Sequence, residues 1–221
     1  MDLLEGIQSR KSIRGFRPDP VSTDVLVELL ETATRAPSSV NSQPWEFVII
    51  QGEILDQLRR ECVEQYRLGK KPNPDVALAE TGLQGVYKDR QVYLAKQIFS
   101  LIGITKGDNK GLQEYWETMY SFYGAPAVIV IVIDRTLTSE WPLIDIGLVA
   151  QTIALAALGY GLGTCIMRAI VDYADTVRKT AGIPENKKMV LGIAIGYPDW
   201  NHPLNQLETA REDIHNITKI I

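Results

Sequence analysis

Residues 9–17 read Ser9-Arg10-Lys11-Ser12-Ile13-Arg14-Gly15-Phe16-Arg17. Four cations and two hydroxyls within nine residues suit a single phosphate, because arginine forks match phosphate oxygens two at a time and serine adds a donor. The same run also suits a solvated helix end, the ordinary place for clustered charge. On its amino side Leu3, Leu4 and Ile7 recur at helical spacing. On its carboxyl side a helix is predicted from about Asp24, where Leu26, Leu29, Leu30 and Ala33 form an apolar stripe after the capping residues Ser22 and Thr23.

Ala36-Pro37-Ser38-Ser39 stops that helix, and Ala36-Pro37-Ser38-Ser39-Val40-Asn41-Ser42-Gln43-Pro44-Trp45 is a polar loop bounded by prolines. Its short side chains can bring hydroxyl, amide and backbone groups against a flat heteroaromatic ligand, although the same composition serves any loop. Trp45, Phe47 and Ile49 alternate as a strand does. Val128 to Ile133 is a β-branched run that reads as a strand buried on both faces, with Met189 to Ile195 a second candidate for the sheet centre. Asp145 to Leu158 is apolar all round at helical spacing, which predicts a central helix.

The segment from Arg67 to Tyr123 differs. Gly69-Lys70-Lys71-Pro72-Asn73-Pro74 breaks structure, and an amphipathic stretch with Tyr87, Leu94, Ile98 and Leu101 follows, so residues 67–123 read as a helical excursion, a lid, between strands. The tail after Pro198 is turn-rich yet ends on Ile217, Ile220 and Ile221. Those isoleucines either fold back or cross to a second subunit.

The chain has 221 residues, 45% hydrophobic and 23% charged, enough for a sizeable core and read as one domain over 1–221. Lys+Arg 23 against Asp+Glu 27 leaves a net charge of -4, which disfavours nucleic acid as a partner. Cys62 and Cys165 match no metal spacing, and so few thiols suit a reducing, cytoplasmic compartment. Met1-Asp2-Leu3-Leu4-Glu5 has no signal-peptide pattern, and the apolar runs Ala125 to Ile133 and Ile144 to Ala157 read as too short or too interrupted to cross a bilayer. No membrane partner is expected.

Taken together, Arg10 to Arg14 and Ala36 to Trp45 resemble the two N-terminal signatures of the nitroreductase family of flavoproteins. The likeness continues through Gly124-Ala125-Pro126, through Leu155-Ala156-Ala157-Leu158-Gly159-Tyr160-Gly161-Leu162-Gly163-Thr164, and through Gly192-Ile193-Ala194-Ile195-Gly196-Tyr197-Pro198. It implies an α+β fold of three α/β/α layers about a mostly antiparallel sheet. It further implies a homodimer with swapped terminal extensions, residues 199–221 crossing to the partner subunit, and FMN held at each of two interface sites. Carried over by position, Arg10, Ser12 and Arg14 hold the FMN phosphate and ribityl chain, Lys11 contributes mainly backbone, and Pro37, Ser38, Ser39 and Asn41 reach the ring from the other subunit. Arg211 matches a C-terminal phosphate contact, whereas Thr209 stands where a second cation often sits. A loop after the glycine-rich turn presents a backbone N–H to flavin N5, from Thr164, Cys165, Ile166 or Met167. The acidic residue some relatives keep there is absent, since Ile166 and Met167 occupy the place. Thr118 and Ser121 are the two candidates for the pyrimidine contact.

Other chemistries find little support. Gly159-Tyr160-Gly161-Leu162-Gly163-Thr164 follows a helix, so it is no dinucleotide fingerprint, and neither histidine, His202 or His215, sits beside a nucleophile. Cys165 reads as a small apolar filler. The aromatics Tyr87, Tyr93, Trp116, Tyr120, Phe122 and Tyr123 either line a substrate site or pack in the core. The expected activity is FMN-dependent transfer of reducing equivalents from NADH or NADPH to a small electrophile such as a nitroaromatic or quinone. A reductive dehalogenase, another specialised FMN enzyme, or a flavin-storage or sensing protein would share the same cradle.

Overall fold

Alternation along one strand sorts the core into two halves. In β2 (Ala127–Asp134) the residues Ala127, Ile129, Ile131 and Ile133 enter one hydrophobic cluster, and Val128, Val130 and Val132 enter the other. Ala127 to Ile131 are all fully buried, as expected of a strand covered on both faces. Truncating Ile129 or Ile131 to alanine is expected to cost about 2–5 kcal/mol.

The computed structural model describes residues 2–77 and 81–221. Its sheet holds β1 (Glu46–Gln51), β2, β4 (Lys187–Gly196) and β3 (Gly163–Met167) in the order β1-β2-β4-β3, every pair antiparallel. Helices α2 (Thr23–Ala33) and α6 (Trp141–Gly159) cover one face; α3 (Gly52–Arg67), α5 (Asn109–Tyr120) and α7 (Ala174–Ala181) cover the other. This is the three-layer α+β arrangement anticipated above. The predicted second helix begins where its cap demands: Ser22 Oγ accepts from Val25 N at 3.2 Å. Between β1 and β2, α3 is followed by the 67–123 excursion, which holds α4 (Gly85–Leu101) and α5, with residues 78–80 outside the described part.

Two expectations change. The central helix is 19 residues, not the shorter apolar run, because Trp141-Pro142 opens it a turn early, with proline at the first turn where its missing N–H costs nothing. By length and composition it could cross a bilayer, yet Ile146, Val149, Ala150 and Ile153 bury one face of it on the sheet. The residues after the glycine-rich turn form strand β3 and not a loop. Gly161 (φ +67°) makes the turn, and Thr164, Cys165 and Ile166 then pair with Ile195, Ala194 and Ile193.

The register places two segments at diagonal corners. Thr164 shares a row with Ile195, Ala127 and Gln51, whereas Glu46, which ends the serine loop, pairs with Val132 at the other end of β2. Three strand spacings across and five residues along separate the corners by roughly 20 Å.

Candidate active site

The basic stretch is held against the free edge of β3. Ser12 bridges Thr164, and Ile13 N donates to Thr164 O at 2.9 Å. This approach needs glycine: a Cβ on Gly163 would run into the Ile13 side chain, and one on Gly15 into His202. Asn205, fully buried, completes the clasp. Its Oδ1 accepts from Arg14 N at 2.7 Å, its Nδ2 donates to Gly15 O at 2.7 Å and to Asp199 O at 2.8 Å, and its carbonyl accepts from Lys11 Nζ at 3.0 Å. Lys11 thus turns its ammonium to the tail. The sequence reading passed over Asn205, since a lone asparagine in a turn-rich tail carries no signal.

Arg10 and Lys11 then share a 720 Å³ groove with Arg211, Thr209 and Glu208. Arg211 is steadied by donating to the carbonyls of Thr209 and Ala210, each at 3.0 Å, and to Thr209 Oγ1 at 2.8 Å. Among the described residues Arg10, Lys11, Arg14 and Arg211 have no carboxylate partner, as is also true of Arg35 and Arg60 elsewhere, whereas Arg17, Arg59, Arg67, Arg90, Arg135, Arg168 and Arg178 each have one. Arg17, counted at first with the basic cluster, pairs with Asp19 at 2.8 Å and leaves the site. The unneutralised guanidinium groups of Arg10 and Arg211 at one groove, with Arg14 at the cavity beside it, fit a phosphate.

Beside Arg14 lies a cavity of 520 Å³. Tyr66 of α3, Trp116, Met119 and Tyr120 of α5, and Tyr123 form its wall, and Cys165 to Ala169 form its edge along β3 and the turn beyond. Tyr66 and Tyr120 stack with ring centroids 5.3 Å apart. Helix α5 is clamped onto α3 by a bidentate pair, Arg67 Nε to Glu117 Oε1 at 2.9 Å and Arg67 NH2 to Glu117 Oε2 at 2.6 Å, which holds the Glu117 carboxyl down at about 2. A volume of this size, lined by aromatic rings and a few polar groups, suits a flat organic ligand.

The strand decides which amides are available there. Thr164 O faces away from β4, toward Ile13, so by alternation the Thr164 and Ile166 N–H groups also face outward while those of Cys165 and Met167 face β4. Cys165 and Met167 are therefore corrected as amide donors, although both line the cavity. Burial pushes the Cys165 thiol up, against the pull of Arg14 and the Ser12 hydroxyl, so it stays protonated and unreactive at neutral pH. Thr118 and Ser121 are corrected too: their hydroxyls bond Glu114 O and Thr118 O, one turn back, and neither lines the cavity. Of the aromatics, Tyr120, Phe122 and Tyr123 are buried, whereas Tyr87 and Tyr93 stand exposed on α4.

The serine loop lies at the opposite corner, and no described cavity joins it to Arg10 or Arg14. Pro37, Ser39 and Asn41 are exposed, and Ser38 is half-buried. Gln43 N donates to Ser38 Oγ at 2.9 Å, and Ser39 N to the buried Asp145 at 3.1 Å. Val40, Asn41 and Gln43 all have positive φ, which for β-branched Val40 (φ +47°, 95% exposed) is strained.

Comparison with known proteins places this geometry. The model of the Nitroreductase family matches residues 7–197. "Nitroreductase NfnB" of Mycolicibacterium smegmatis is 31% identical, the alignment covering 96% of this chain and 90% of that protein. A "4-nitrobenzoate reductase" of Nocardioides is 29% identical over 94% of this chain and 85% of its own length. The solved structure of the FMN-dependent nitroreductase NfnB from Mycobacterium smegmatis, in complex with NADPH, superposes with a TM-score of 0.92 at 30% identity, covering 99% of this chain and 97% of that one. With its fold, its N-terminal signatures and its full-length relatives in agreement, the chain belongs to the nitroreductase family.

Proposed function

We propose that this protein is an FMN-dependent oxidoreductase that takes reducing equivalents from NADH or NADPH and passes them to a small electrophilic acceptor, a nitroaromatic or a quinone. The observation that carries the reading is the set of unpaired cations Arg10, Arg14 and Arg211 at the β3 edge, next to an aromatic cavity with outward-facing backbone N–H groups. Arg10, Arg14, Arg211 and the Ser12 hydroxyl would hold the FMN phosphate and ribityl chain, with Lys11 supplying backbone. The amide of Ile166 would meet the ring edge, since that of Thr164 is turned to the backbone of the basic stretch by its bridge to Ser12. Bound FMN would supply the two-electron redox chemistry. The chain's own residues bind, orient and leave one face of the cavity open, so that donor and acceptor visit in turn and ping-pong kinetics follow. No side-chain nucleophile is needed, which agrees with two thiols kept neutral by burial, Cys62 being pushed up to about 12.

The site is completed by a second copy. Pro37, Ser38, Ser39 and Asn41 cannot reach the β3 edge of their own chain from the far corner, so they serve the site of the partner in a homodimer. Exposed apolar residues support such a pairing: Leu3, Leu4 and Ile7 on α1 (Leu3–Ser9), Trp141, Ile144 and Leu148 on α6, and Ile214, Ile217, Ile220 and Ile221 in the tail. In that assembly residues 199–221 extend over the partner, residues 67–123 act as the lid, and the reduced cysteines suit the cytoplasm.

The test is the visible spectrum of the purified protein, followed by anaerobic NADPH and then by a nitroarene. Flavin absorbance, its bleaching by the donor and its return with the acceptor are the expected results. A protein that stays colourless in excess FMN, or sediments as a monomer at all concentrations, would sink the reading.

A further inference from the structure

Two cations line the aromatic cavity, and the cofactor reading uses only Arg14. The other, Arg168, follows β3 directly and opens the short turn Arg168–Val171, so its backbone is anchored to the sheet while its side chain is 54% exposed. Asp172, fully buried, lies 2.8 Å from Arg168 NH1, yet among the described residues no N–H is aligned on that carboxylate oxygen, Oδ1. Tyr120 of the cavity wall donates its hydroxyl to the other oxygen, Oδ2, at 3.3 Å. A buried carboxylate with an off-axis arginine holds the guanidinium near by charge while leaving its hydrogen-bonding fork unsatisfied. Burial pushes the Asp172 carboxyl up even against Arg168, which marks the pair as incompletely compensated. Facing this fork are the rings of Tyr66, Trp116, Tyr120 and Tyr123.

A planar fork beside an aromatic slot selects a flat ring bearing a planar anion. We propose that Arg168 is a specificity-determining residue, which receives the carboxylate of an aromatic acceptor whose ring lies against Trp116 and Tyr120, so that carboxylated nitroarenes are preferred to neutral ones. The assignment rests on the oxidoreductase reading only for the turnover it invokes; the anion site itself stands on the cavity. A phosphate of the nucleotide donor offers the fork similar chemistry, but it would not use the aryl wall.

The experiment compares 4-nitrobenzoate with its neutral near-isostere 4-nitrobenzamide on the FMN-loaded protein, and separately measures binding of benzoate and benzamide by calorimetry. The unaltered protein is expected to favour the carboxylate by about ten- to a hundred-fold in kcat/KM, mostly through KM. Arg168→Ala and the bulkier Arg168→Gln should abolish that preference, kcat/KM for nitrobenzoate falling further than that for nitrobenzamide, and Arg168→Lys should keep part of it. The proposal is overturned by no preference in the unaltered protein, by an equal fall for both substrates, or by a raised KM for NADPH but not NADH, which would give the fork to the donor's phosphate. Benzoate binding that depends on Arg168 without any nitro reduction would keep the anion site and sink the redox reading. Equal reduction of both nitroarenes in all variants would do the reverse.

Discussion

Two corners of one sheet carry the two motifs, and they are built differently. At the β3 corner the basic stretch is pinned from every side, by Thr164, by the amide of Asn205, and by glycines that admit Ile13 and His202. At the β1 corner the serine loop is exposed, carries three non-glycine residues at positive φ, and is tied down by little more than Ser38 Oγ and Asp145. One corner is fixed by its packing; the other is a strained, presented surface. The difference teaches that a single fold can carry two polar motifs close in sequence and still hold them at separate corners of its sheet.

The largest way to break the contrast is Asn205→Ala. Removing a fully buried amide strands Arg14 N and the carbonyls of Gly15 and Asp199, at a cost of about 3 kcal/mol. Chemical denaturation should read that loss, and FMN retention should fall with it. Next come Arg10→Ala and Arg14→Ala, which should leave the denaturation midpoint nearly unchanged and weaken FMN binding by about 1.5–3 kcal/mol each, as followed by flavin fluorescence. Mixing Arg14→Ala chains with Asn41→Ala chains sharpens the point: if the halves come from different copies, mixed dimers place both lesions in one site and restore the other. Full loss in the mixture would mean that both groups act within one chain.

Smaller is the effect of Val40→Asn, which suits the left-handed backbone and should stabilise by about 1 kcal/mol in thermal melts if the strain lies in the loop itself. The smallest effect concerns the aromatic wall. Because Arg67 holds Glu117 at about 2, below its unfolded range, their clamp contributes fully above about pH 4.5 and is lost as pH falls toward 2. Melting temperature should therefore decline more steeply on acidification in the parent than in Glu117→Gln; identical slopes would show that the clamp adds nothing.

Much of the fold was legible because its elements obey local rules. The Ser22 cap, the stripe on α2, the β-branched run of β2 and the phosphate-suited chemistry of Arg10 to Arg14 are properties of neighbours in the chain. The misses have a common origin. Thr164 to Met167 became a strand because β4 was waiting beside them, and that pairing alone turned two amides outward and two inward. Thr118 and Ser121 lost their assignment because a helix turns such hydroxyls back on its own carbonyls. Asn205 and Arg168 gave no signal at all, since their meaning lies in partners distant in sequence, Arg14 and the rings of α3 and α5.

Sequence by itself determined which residues can form helix, strand and turn, and which chemistry the basic stretch can perform, for these follow from side-chain type and short-range spacing. Only the tertiary structure decided where that chemistry sits: strand register set the two motifs roughly 20 Å apart, and burial selected the groups left unpaired. Long-range pairing and desolvation depend on what the chain brings together, and no local pattern encodes them.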